Sequence, residues 1–129
     1  MDSSKRTSET MSDNKDPIVE PDLPLEEREA RAIRLYLDLY RKGKFYECHD
    51  VMEEIWFETD REKKRFFQGL LQCAVCRHHW GNGNRRGAAI LYREGVEKLA
   101  SYRPVFLGVD LDAFISELSQ ALPDDLARS

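Results

Sequence analysis

The chain predicts an all-α fold, a compact bundle of about five helices built from helix-turn-helix hairpins. Three observations carry that expectation. Apolar residues recur at three- and four-residue spacing through most of the chain, no segment alternates convincingly with period two, and glycine-containing turns at Gly43 and Gly83 split the helical pattern into paired segments.

The first helix is expected to start near Pro24, because proline tolerates the first helical position, where its missing N–H has no partner anyway. Glu26 and Glu27 follow, near the positive end of the helix dipole. Ile33, Leu35, Tyr36, Leu37 and Tyr40 supply its apolar faces, and Gly43 ends it. The second helix is predicted from about Phe45 to Phe57, with Phe45, Cys48, Met52, Ile55 and Trp56 at helical spacing and Glu47, Asp50 and Glu54 opposite.

Thr59-Asp60-Arg61-Glu62 has the form of a capping box, in which Thr59 accepts from a backbone N–H three residues on while Glu62 reaches back. The third helix is predicted to run from there to about Trp80. Its apolar residues (Phe66, Phe67, Leu70, Leu71, Cys73, Ala74, Val75 and Trp80) surround it, which predicts a central, buried helix. Gly81-Asn82-Gly83-Asn84 forms a turn, with Asn84 as N-cap of a fourth helix carrying Ala88, Leu91, Tyr92, Val96 and Leu99. Residues 102–109 contain Pro104 and Gly108 and are expected as a loop. Asp110 then caps a fifth helix with Leu111, Phe114, Ile115, Leu118 and Leu122.

The 129 residues suit one domain, expected over residues 23–129, behind a polar leader at 1–22 that is expected to be disordered. Up to residue 24 the chain carries six acids against three bases, a net of −3 out of a total of −4, and the rest is nearly neutral. Global charge therefore gives no argument for a nucleic-acid partner. The leader lacks the apolar stretch of a secretory signal, and its acids argue against a mitochondrial presequence. No apolar run approaches the roughly 18 residues of a membrane span. A cytoplasmic protein with no membrane partner is expected, and three cysteines suit free thiols better than a disulfide framework.

The candidate site is a polar stripe split between the second and third helices. At about 100° per residue, His49 and Glu53 lie about 40° apart, at and just beyond the edge of the apolar stripe. Glu53 is expected to be half buried there, orienting His49. Gln68, Gln72 and His79 fall within about 40° of one another along the third helix. Antiparallel packing of the two helices would let the two stripes face each other, whereas His78 points about 100° from His79 and is given no shared role.

Three readings stay open. One is a structural hydrogen-bond network that fixes helix register. Another is a pocket binding or hydrolysing a small polar ligand. There His49 is general base, Glu53 orients it, His79 is a second acid, and Gln68 and Gln72 hold substrate with Trp56 beside them. The third is a divalent-metal site from the triad His49, Glu53 and His79.

Other signals are read as structural. Cys73 and Cys76 have the spacing of a redox or zinc motif but stand mid-helix among apolar residues, so two core thiols are expected. The basic run Arg61, Lys63, Lys64 and Arg65, and the pair Arg85-Arg86, are expected as solvated faces. Asn82-Gly83-Asn84 could hold an anion but is ordinary turn chemistry.

Residues 43–56, Gly43-Lys-Phe-Tyr-Glu-Cys-His49-Asp-Val-Met-Glu53-Glu-Ile-Trp56, resemble the opening signature of the bacterial and archaeal family called domain of unknown function 309. Phe67-Gln-Gly-Leu-Leu-Gln72 and His79-Trp-Gly-Asn-Gly-Asn-Arg-Arg-Gly87 resemble its second and third blocks, and Tyr102-Arg-Pro104 with Gly108-Val-Asp110 resemble its tail. The resemblance spans about residues 27–122. It implies a compact helical bundle with no established activity, and polar positions at His49, Glu53, Gln68, Gln72 and His79 with Trp56 beside them. Cys48 and Asp50 stand where the family usually has alanine and often glutamate, which sets Cys48 outside any shared mechanism.

The combined expectation is an uncharacterised helical protein with a half-buried His/Glu/Gln pocket for a small polar ligand. The alternative is a non-catalytic helical interaction module in which the stripe only fixes packing.

Overall fold

A computed structural model describes residues 23–127, so the expected leader lies outside the described residues. Helix α1 spans Leu25–Arg41, α2 Phe45–Glu58, α3 Arg61–Gly81 and α4 Arg85–Ala100. A two-stranded antiparallel hairpin, β1 Val105–Phe106 and β2 Val109–Asp110, leads into α5, Leu111–Gln120, and the single turn α6, Asp124–Ala127. The all-α expectation holds, with the hairpin and α6 as small additions. Among the described residues no helix is long and apolar enough to cross a membrane.

Local chemistry explains the helix ends. Pro24 is the N-cap of α1, one position earlier than expected, and its carbonyl accepts from the N–H groups of Glu27 and Arg28. Gly43 turns the chain at φ +77°, a left-handed conformation that glycine takes without strain, and Gly83 does the same at φ +79°. Asn84 Oδ1 accepts from Gly87 N at 2.9 Å and Asp110 Oδ1 from Ala113 N at 3.0 Å, so both predicted caps form. The fifth helix stops at Gln120, and Leu122 is buried just beyond it.

The capping box at Thr59 does not form. Asp60 is the N-cap of α3 and makes no side-chain cap bond. Thr59 instead donates from Oγ1 to Glu29 Oε2 at 2.5 Å. Glu29 is only 2% exposed, and a buried carboxylate needs donors more than a solvent-facing helix end does.

Residues 102–109 are more ordered than expected. Phe106 pairs with Val109 across the two-residue turn Leu107–Gly108, where both φ angles are positive, +48° and +78°. That pair of conformations suits the right-handed twist of a tight hairpin. The usual Asn-Gly or Asp-Gly is absent, which hides the turn from a sequence reading.

Helix α3 is central, as its all-round apolar composition predicts. It packs α2 on one side and α4 on the other. Tyr36 reaches it from α1, donating from its fully buried hydroxyl to Leu70 O at 2.7 Å. The α3–α4 contact is close because glycine meets glycine. A Cβ on Gly69 would lie 2.8 Å from the Leu99 side chain, and one on Gly95 would lie 2.9 Å from Cys73 Sγ. Phe114 of α5 closes the other side, its ring 5.1 Å from Tyr40 and 6.2 Å from Tyr36.

Candidate functional site

The packing order α2–α3–α4 decides where the polar stripe goes. Gln72 on α3 donates from Nε2 to Glu94 Oε1 on α4 at 3.1 Å. His79 Nδ1 lies 3.4 Å from Asn84 Nδ2, and its ring is 3.0 Å from where a Cβ on Gly87 would stand. The α3 half of the stripe thus faces α4 and not α2, so the two halves do not meet as expected. Helical periodicity sets angles around one axis but not which neighbour occupies which angle. Gln68 is half buried on the same helix. Gln72 Oε1 is buried without a hydrogen-bond partner.

On α2 the geometry is different. His49 is 31% exposed, and its Nδ1 lies 3.4 Å from Asp50 Oδ1. Glu53 is exposed and not half buried, and Asp50 is the carboxylate nearest the imidazole. One ligand atom each from His49, Asp50 and Glu53 lie within 4.8 Å of one another. This is the group among the described residues with the composition and spacing to hold a metal ion. His79, the third member of the expected triad, is not part of it, because its ring is directed toward α4. Asp50 replaces it, and its place one residue after His49 was the signal available.

Trp56 does not join this cluster. Lys64 Nζ lies over its ring at 4.6 Å and donates to its backbone carbonyl at 2.5 Å. Its indole Nε1 is buried without a partner.

Tyr46 connects the cluster to a concave surface. Its ring stacks on His49 at 6.1 Å and 16°, and lies 5.7 Å from the ring of His78. Tyr46 and His78 help line a cavity of about 400 Å³ between the α1–α2 turn and the end of α3, together with Lys44, Arg77 and Asn82. His78, given no role on sequence grounds, is therefore linked to the candidate cluster through the Tyr46 ring. Another cavity, of about 240 Å³, lies between α1 and α5, with Tyr40 and Phe114 on its walls.

The buried ionic group at the other end of α2 was also missed. Glu29 accepts from Thr59 Oγ1 and from Lys63 Nζ at 2.9 Å, and the Lys63 pKa is raised, first by its hydrogen bond to Glu29. Arg28 pairs with Glu58 beside it. Nothing in the acid-rich first turns of α1 distinguishes Glu29 from its solvated neighbours. The three cysteines are buried and unpaired, as read from the sequence. Burial pushes the Cys48 thiol up to about 12 and Cys76 up to about 11, and raises Cys73 as well. A raised pKa keeps a thiol in its less reactive protonated form.

Residues 33–91 match the family model described as Domain of unknown function (DUF309). The chain is similar to an uncharacterized protein of Aquifex aeolicus (strain VF5), 26% identical over 96 residues, which cover 74% of this chain and 29% of that protein. It is also similar to the uncharacterized protein YpuF of Bacillus subtilis (strain 168), 33% identical over 85 residues, 64% of this chain and 48% of that one. The chain thus spans less than half the length of these relatives.

Proposed function

We propose that this DUF309 domain binds a divalent cation through His49, Asp50 and Glu53, and through the ion a small polar ligand. The carrying observation is the convergence of one imidazole and two carboxylates within 4.8 Å on the outer side of α2. Modest side-chain rotation would bring such groups to roughly 2.0–2.2 Å from one ion. Three protein ligands leave positions open for water or substrate. An ion there would act as a Lewis acid and lower the pKa of a bound water, the chemistry a hydrolytic role requires. The reading keeps His49 and Glu53 from the expected triad and exchanges His79 for Asp50.

Titration of the chelator-stripped, desalted chain with Mn2+ and Zn2+ by calorimetry tests it. Saturable binding is expected, lost in His49→Ala and weakened in Glu53→Ala, while His79→Ala binds as the parent does. Absence of binding, or equal loss in His79→Ala, would overturn it.

A second reading, a non-catalytic interaction module, is favoured by two aromatic residues on the same helix, Tyr46 at 60% and Phe57 at 68% exposed. The reading requires that they belong to one contiguous apolar patch, since single exposed apolar residues are ordinary on a protein surface.

A further inference from the structure

Some side-chain cations of this domain are matched to carboxylates. Arg28 pairs with Glu58, Lys42 with Asp38, Lys63 with Glu29 and Asp60, Arg85 with Asp125, and Arg103 with Asp112. The two cations on the wall of the 400 Å³ cavity are among those that are not, and they stand in a concavity instead of on open surface. Among the described residues neither Lys44 nor Arg77 forms an ion pair with a carboxylate. Arg77 is half buried, its guanidinium 4.6 Å from the centre of the Phe45 ring and 5.6 Å from that of Tyr40. Stacking of this kind holds the planar fork in place, and its N–H edge is what pairs with an oxyanion in bidentate fashion.

The rest of the wall suits the same ligand. His78 and Asn82 hydrogen-bond to each other at 3.1 Å and add polar nitrogen at the rim. Glu47 is the one carboxylate on the wall, against two cations. In a chain of net charge −4, this concave patch has the opposite sign to the whole. Unmatched like charges in a cleft repel each other and attract an anion. Ligand clefts commonly measure roughly 300–1,000 Å³, so the cavity has room for more than an isolated oxyanion. The rings of Tyr46 and His78, 5.7 Å apart, offer flat apolar surface for the remainder.

We infer that this cavity binds a small molecule bearing a phosphate-type oxyanion on a planar ring. Arg77 and Lys44 hold the oxyanion, and Tyr46 with His78 packs the ring. The inference does not depend on a cation at His49, Asp50 and Glu53.

The test is calorimetric titration of the metal-stripped, desalted full chain with phenyl phosphate, inorganic phosphate and phenol, with amide chemical shifts followed in parallel. Phenyl phosphate is expected to bind saturably, inorganic phosphate more weakly and phenol not at all. Shifts should concentrate at residues 43–47 and 77–82. Lys44→Gln and Arg77→Gln should each weaken phenyl phosphate by about tenfold. Lys44 is exposed, so Lys44→Gln decides the matter if loss of the Arg77 stack unfolds the chain. The inference is overturned by no saturable binding up to about 10 mM. Phenol binding as well as phenyl phosphate, shifts elsewhere on the surface, or unchanged affinity in Lys44→Gln would overturn it equally. Binding that survives metal stripping separates this cavity from the proposed cation site, since either can fail alone.

Discussion

Helix α2 carries one polar cluster along its middle and adjoins another beyond its C-terminal end, and the two are built on opposite principles. At its C-terminal end a carboxylate, a hydroxyl and an ammonium converge with the carboxylate 2% exposed, and donors from α3 and the α2–α3 junction meet both oxygens of Glu29. Along its middle an imidazole and two carboxylates gather, solvent reaches all three, and among the described residues no lysine or arginine pairs with either carboxylate. The first arrangement links α1 to α3 and leaves no ligand-binding capacity unused. The second binds no two helices together and keeps lone pairs free. A polar cluster that is buried and hydrogen-bonded ties elements together, whereas an exposed one is solvated and owes nothing to packing.

The comparison breaks first at Lys63. Lys63→Met leaves the Glu29 carboxylate buried with only Thr59, and a loss of about 3 kcal/mol in unfolding free energy is expected by urea denaturation. Glu29→Leu combined with Lys63→Met should recover part of that loss, because an apolar pair replaces a buried ionic one. A change near zero in Lys63→Met would remove the scaffold role. The same pair predicts an alkaline limit. The Lys63 pKa is raised in the fold, so its contribution is complete below the ordinary lysine pKa and disappears as pH rises through the raised value. The buried thiols act in the same direction. Unfolded thiols ionise from about pH 9 while Cys48 and Cys76 stay protonated in the fold to about 12 and 11, so stability should fall as pH climbs past 9. Unfolding midpoints measured between pH 7 and 11 check the sign.

At the exposed cluster the expected effects are on binding. His49→Ala should reduce Mn2+ affinity by at least about tenfold, measured by calorimetry, without moving the urea midpoint appreciably. Glu53→Ala sharpens the contrast further. In a buried network it would strand a donor at about 1–3 kcal/mol, but here Glu53 is exposed and a stability change within about 0.5 kcal/mol is expected. A loss like that of Lys63→Met would show that the two clusters are not opposites. The smallest effect lies outside both. Leu107 holds a positive φ of +48°, so Leu107→Asn should raise stability by about 0.5 kcal/mol, read as a small rise in Tm.

Much of the fold was legible because it depends on local chemistry. Asn84 and Asp110 cap because their side chains reach their own backbone, and Gly43 and Gly83 turn because they alone accept positive φ there. The central place of α3 followed from its all-round apolar surface. Of the expected polar stripe, the structure brings only part together. His49 and Glu53 meet because four residues of one helix bring them together, whereas Gln72 and His79 depend on whether α2 or α4 covers that side of α3. Thr59 was misread for the same reason. Its local pattern was sound, but Glu29, 30 residues away in sequence, took its hydroxyl. The presence of both Lys44 and Arg77 on one cavity wall is likewise a matter of tertiary placement.

The burial of all three cysteines makes the native chain its own reporter of opening. Cys48, Cys73 and Cys76 show no exposed surface. A thiol reagent added at neutral pH meets them only when the helices separate, so the rate of modification measures how often they do. Cys48 lies under α1, with Sγ 3.4 Å from Tyr36 O, while Cys73 lies against Gly95 of α4. Comparing the labelling rates of these two positions would tell whether the two hairpins come apart together or one before the other.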